Sequence, residues 1–121
     1  MELNELLEIQ KKFDSEHGWT LNNPNALELI EAINKDLIGL FGEIGEFSNI
    51  VKKINLKIYK VEINEIDHII SNYKEALSEE LIDSLIYLLR IVTHLNLDVT
   101  KAYLCKLEEN RERYKAYETT K

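Results

Sequence analysis

Two pairs of acidic residues carry the first chemical signal. Glu43 and Glu46 lie in "GEIGEF", and Glu80 and Asp83 lie in "EELIDS". Within each pair the spacing is three residues, so on a helix the two side chains are neighbours on one face. If the two stretches are helices that pack together, four carboxylates converge. Such a group stays ionised in a partly dry site only beside a counter-charge. Hard divalent cations, Mg2+ or Mn2+, take oxygen ligands of this kind. No cysteine and histidine cluster points to zinc.

The simpler alternative is that these acids face solvent. The chain has 22 acidic residues, and solvated helix faces carry such pairs routinely. What favours the cation site is position. Leu37, Leu40, Ile44, Phe47, Val51 and Ile54 form one apolar stripe, with Glu43 and Glu46 at its border and Asp36 near the same face. Leu81, Ile82, Leu85, Ile86, Leu88, Leu89, Val92 and Leu95 cover more than half of a second helix, which predicts a largely buried element. Glu80 and Asp83 share its remaining strip with Tyr87, Arg90 and His94. Gly39, and Gly42 with it, leave bare backbone beside the acids for a ligand or another helix. Gly45 points elsewhere and suits close helix packing.

A third group falls near the C-terminus. Lys106, Asn110 and Arg113 are spaced four and three apart, on one face with Tyr103, Tyr114 and Tyr117. A lysine, an amide and a guanidinium in a row suit phosphate oxygens. The competing reading is a solvated helix laced with Glu–Lys pairs. Trp19, the only tryptophan, offers a stacking surface for a nucleobase, or else a core anchor for the first helix. His94 sits near the acids, where a structural role is the ordinary one. His17, His68 and Cys105 carry no readable signal.

The elements that must position these groups read as helical almost throughout, with one proline and four glycines in the chain. Leu3, Leu6, Leu7 and Phe13 outline a first amphipathic helix, ended by "SEHGW" with Gly18 as its C-terminal cap. Pro24 suits the first turn of the next helix, which covers residues 25–54 as one long helix or two in series. Residues 55–72 are ambiguous between a hairpin, a mobile insert and a weak helix. Helical pattern resumes by Glu79 and runs to about Leu95. A final helix follows, with Asp98 as a candidate cap. The expected fold is all-α, a bundle of four or five helices in a single domain over residues 1–121.

Composition bounds the function. At 121 residues, 45% apolar and 31% charged, this is a folded domain and not a disordered chain. A net charge of −7 argues against an electrostatic hold on a nucleic-acid polymer. No apolar run approaches the roughly 20 residues of a membrane span. The charged N-terminal stretch is unlike a signal peptide, and a lone cysteine suits a reducing compartment, so a cytoplasmic location is expected.

"GLFGEIGEFSNIVKK", "EELIDSLIYLLRIVTHLNLD" and "KAYLCKLEENRERYK" together resemble the MazG-like nucleotide pyrophosphohydrolases of the all-α NTP pyrophosphatase superfamily. That family has an ExxE, then an ExxD, then a lysine and an asparagine on a later helix. These fall here on Glu43 and Glu46, on Glu80 and Asp83, and on Lys106 and Asn110. The resemblance covers about residues 35–54 and 77–115, and more loosely "FDSEHGW". The long spacer between the acid pairs, residues 55–75, departs from the pattern as a variable insert. The resemblance implies a helical bundle completed by dimerisation, as a homodimer or homotetramer. It implies Mg2+-dependent hydrolysis of nucleoside triphosphates, dNTPs foremost, between the α and β phosphates, in house-cleaning or control of nucleotide pools. Two alternatives stay open: a non-catalytic helical interaction module, and a pyrophosphohydrolase for another nucleotide derivative.

Overall fold

The computed structural model describes residues 2–119, and among these the regular elements are all helical. There are four α-helices: α1 (Leu3–Glu16), α2 (Ala26–Ile58), α3 (Ile66–His94) and α4 (Val99–Arg113). The ends are written in the sequence. α1 stops where Gly18 takes a φ of +71°, with the Gly18 N–H on the Ser15 carbonyl and the Trp19 N–H on the Asp14 carbonyl. This pair of bonds is a Schellman motif. It turns Trp19 back against Phe13, with ring centroids 6.1 Å apart. α3 ends the same way, with Asn96 at a φ of +52° in the glycine's place. α2 opens on a capping box: Asn25 accepts from the Glu28 N–H, and Glu28 accepts from the Asn25 N–H. Pro24 therefore lies just outside α2 and not in its first turn. Asp98 caps α4 by accepting from the Lys101 N–H, as expected.

α2 is one continuous helix, and α3 begins thirteen residues before Glu79, at Ile66. The ambiguous residues 55–72 contain no hairpin strand. They complete α2, turn through residues 59–62 and the 3-10 segment Ile63–Glu65, and start α3. The half-buried Ile66, Ile69, Tyr73, Ala76 and Leu77 show why: they extend α3's inward stripe at helical spacing. Packing thus overrides the β-branched character of this stretch.

α2 and α3 form the body of the molecule as an antiparallel pair. Asp36 meets His94, Gly39 meets Tyr87, and Lys57 lies over the Tyr73 ring, so numbers rise on one helix as they fall on the other. α1 packs on α3, and α4 touches α1.

The apolar stripes are not oriented as their wheels predict. Glu80 and the buried Ser84 point toward α2, whereas Leu81, Ile82, Leu85 and Leu88 face out and are 36–57% exposed. On α2, Leu40, Phe47, Val51 and Ile54 turn inward, but Leu37, Phe41 and Ile44 do not. Among the described residues the buried apolar side chains are Leu40, Ile54 and Leu89.

Candidate metal centre and adjoining cavities

The register of the α2–α3 pair brings Glu43, Glu46 and Glu80 together. One carboxylate oxygen from each lies within 4.8 Å of the others. Glu46 is exposed, and Glu43 and Glu80 are half-buried. Oε2 of Glu43 and Oε2 of Glu80 are buried atoms without a hydrogen-bond partner. The Glu80 carboxyl is raised from 4.5 to about 7. The main cause is the adjoining carboxyls of Glu43 and then Glu46, which a proton on Glu80 bridges; burial and like charge add to it. Three oxygen donors, two of them unsatisfied and all three repelling one another when ionised, fit a hard divalent ion.

Asp83 is exposed, one turn on from Glu80, and is not among the three. It borders an open groove of about 800 Å3 along α3, together with Glu75, Glu79 and Glu80. Lys106 and Arg113 are exposed on α4 and Asn110 is half-buried there. Lys106 is 3.5 Å from Glu109, and Arg113 lies over the Tyr114 ring. None of the three borders that groove. Within one chain the structure does not bring them to the acids.

Further along α3, Tyr87 covers Gly39. A Cβ built at Gly39 would overlap the tyrosine ring, whereas nothing lies within 4 Å of one built at Gly42 or Gly45. The close approach expected at Gly39 is therefore made by a side chain of this protein, and the close packing expected at Gly45 is absent within the chain. Gly39→Ala should lower stability by about 1 kcal/mol. Overpacking of roughly 1–3 kcal/mol outweighs a helix-propensity gain of about 1 kcal/mol. Chemical denaturation checks this, and in a Tyr87→Ala background the penalty should vanish.

Beyond Tyr87 lie two groups that sequence reasoning did not assemble. The Arg90 guanidinium donates from Nε to both oxygens of Asp14, at 3.1 and 3.2 Å, and its Nη2 is 3.1 Å from Oδ1. Asp14 is 5% exposed. Its Oδ1 also accepts from Gln10 Nε2 at 2.9 Å. The Nε2 of His94 is 2.7 Å from Asp36 Oδ2. Asp14 had a signal: with Gln10 it lies in line with Leu3 and Leu7 on the face of α1 that turns inward. Trp19 stacks on His17, with centroids 5.0 Å apart, and Arg90 lies 5.2 Å from the Trp19 ring. The tryptophan is still 54% exposed. It borders two cavities, of about 570 and 390 Å3, which share Thr20, Leu21, Arg90 and His94.

Fold and site define an all-α chain that carries a carboxylate cluster suited to a hard cation. No protein-family model and no solved structure matches it. Among curated proteins it is similar to dCTP pyrophosphatase 1 of Bos taurus, with 29% identity over 114 residues. The matched part is 93% of this chain and 59% of the relative, so the chain spans about three fifths of that protein's length.

Proposed function

We propose that this protein is a divalent-cation-dependent nucleoside triphosphate pyrophosphohydrolase, cutting between the α and β phosphates. The observation that carries the reading is the convergence of Glu43, Glu46 and Glu80, with two orphaned oxygens, on one seam. The similarity to a dCTP pyrophosphatase supports it, and we propose deoxynucleoside triphosphates as the first substrates to try. Mg2+, with Mn2+ as a substitute, is the fitting ion: these three residues would hold it, and Asp83 from the next turn of α3 would join them. When bound, it supplies charge neutralisation for the polyphosphate and a more acidic water.

The rest falls to side chains of the protein. Glu43 or Glu46 accepts the proton of the attacking water, and Glu46 is the more open of the two. Lys106, Asn110 and Arg113 hold the phosphate tail in line. Because they do not reach the acids within one chain, that role requires a second copy. The outward leucines of α3, with Leu37, Phe41 and Ile44 of α2, give such a copy an apolar surface to cover. The protein should therefore elute as a dimer or tetramer, with a melting temperature that rises with protein concentration. A monomer by light scattering at micromolar concentration counts against the assembly. The base occupies the cavities beside Trp19.

The test is pyrophosphate release over a panel of ribo- and deoxyribonucleoside triphosphates with Mg2+. Wild type should release pyrophosphate and the monophosphate. Glu46→Gln should lose about 100-fold or more in turnover while keeping the helical spectrum. Release of orthophosphate alone, or equal turnover in the variant, would overturn the reading.

A further inference from the structure

The paired cavities beside Trp19 hold something that generic base stacking does not call for: a fixed guanidinium. Arg90 sits where the two cavities meet, bordering both. Three features immobilise it. Asp14 binds its Nε and Nη2 edge, the Trp19 ring lies 5.2 Å from its carbon, and the Tyr87 ring lies 5.5 Å away. Asp14 is itself fixed by Gln10 and by burial. Nη1 has no partner among the described residues, so its N–H groups and the second N–H of Nη2 remain to be used. One N–H from each of these nitrogens makes a planar two-donor fork with no acceptor capacity.

α3 also sets the reach. At about 1.5 Å per residue, Tyr87 is about 10 Å and Arg90 about 15 Å along the helix from Glu80. An extended nucleotide with its phosphates at the acids brings its base to this fork.

Resting on the pyrophosphohydrolase reading, we propose that Arg90 is the base-selecting residue, positioned by Asp14, and that it takes a base edge with two adjacent acceptors. Two bases present such an edge: cytosine through O2 and N3, and guanine through O6 and N7. Adenine and uracil do not: adenine N1 and N7 each stand beside the N6 amino donor and its N3 stands alone beside the sugar, while both uracil carbonyls flank the N3–H donor. A buried donor left without an acceptor is the source of discrimination.

The experiment separates recognition from chemistry. Cytidine, guanosine, uridine and adenosine, all without phosphate, are titrated into the full-length protein in EDTA. Binding is followed by calorimetry and by the emission of Trp19. Cytidine or guanosine should bind about tenfold more tightly than uridine and adenosine, and the two favoured arms show which ring the cavities accept. R90K keeps the charge but loses the planar fork, and should reduce the preference below threefold. D14N should do the same by freeing the guanidinium, with melting temperatures read alongside. A role confined to stability would move affinities for all four nucleosides together. Equal binding of the four by wild type, no binding of any, or an unchanged ranking in the folded variants overturns the proposal. Pyrophosphate release is assayed in parallel: a nucleoside ranking without hydrolysis refutes the hydrolase reading alone, and hydrolysis without a ranking refutes Arg90's role alone.

Discussion

Glu80→Gln should raise the melting temperature of the metal-free protein above neutrality and abolish the stabilisation that Mg2+ or Mn2+ gives the wild type. The Glu80 carboxyl titrates near 4.5 when exposed and at about 7 in the fold. A folded state that holds the proton more tightly than the unfolded one is favoured at low pH. The contribution is therefore complete below about 4.5 and is lost as pH rises through about 7. In wild type, metal-free stability should fall across that window. In the glutamine variant, whose amide cannot ionise, the fall should be absent, and the two proteins should converge in mild acid. The cation reverses the argument. It must displace the bridging proton, so its affinity should weaken as pH drops below 7. An ion at 100 times its dissociation constant adds about 2.7 kcal/mol to the wild type, and the variant should gain almost none of it. Melting curves with EDTA or Mg2+, from mild acid to about pH 8, test both halves. Parallel pH profiles for the two proteins would remove the basis for the cluster.

The second large effect belongs to Asp14. Truncating it to alanine strands the Arg90 guanidinium, which is only 19% exposed, without its carboxylate. Losing one partner of a buried pair costs about 3 kcal/mol. For a domain of this size that is a fall in melting temperature on the order of 10 °C. Replacing both partners, as Asp14→Leu with Arg90→Met, should recover most of the loss, because the stranded charge has gone and not because a bridge has been restored. Guanidinium denaturation of Asp14→Leu, Arg90→Met and the double variant closes the cycle. Additive losses would mean that the pair is not coupled.

The contrast between these sites explains what a single sequence reveals. The acids of α2 and α3 were legible because ExxE and ExxD stand next to the two longest apolar runs, and two helix termini were legible because Gly18 and Asp98 are cap residues by chemistry. The direction of α3 was not. With apolar residues around more than half its circumference, a helix has no unique inward face, and the structure turns Glu80 and Ser84 to α2 while leaving Leu81 and Leu85 outside. Residues 55–72 were obscured by isoleucines and asparagines, whose local preference favours strands and turns; only contact with α2 makes them helical. The Asp14–Arg90 pair spans 76 positions, and no local spacing announces a partner that far away. Asp36 and His94 were each placed near the right face, yet their bond depends on the antiparallel register, which the wheels do not supply.

That register gives the segment between the acidic motifs a mechanical meaning. Past Glu46, α2 continues for twelve residues to Ile58, about 18 Å at 1.5 Å per residue, and α3 returns alongside it. The spacer is a doubled rod that projects beyond the acids and closes at its far tip. Whole turns can be added to both arms, or removed from them, without displacing a single carboxylate. Length there is free to drift while the chemistry at its root stays put.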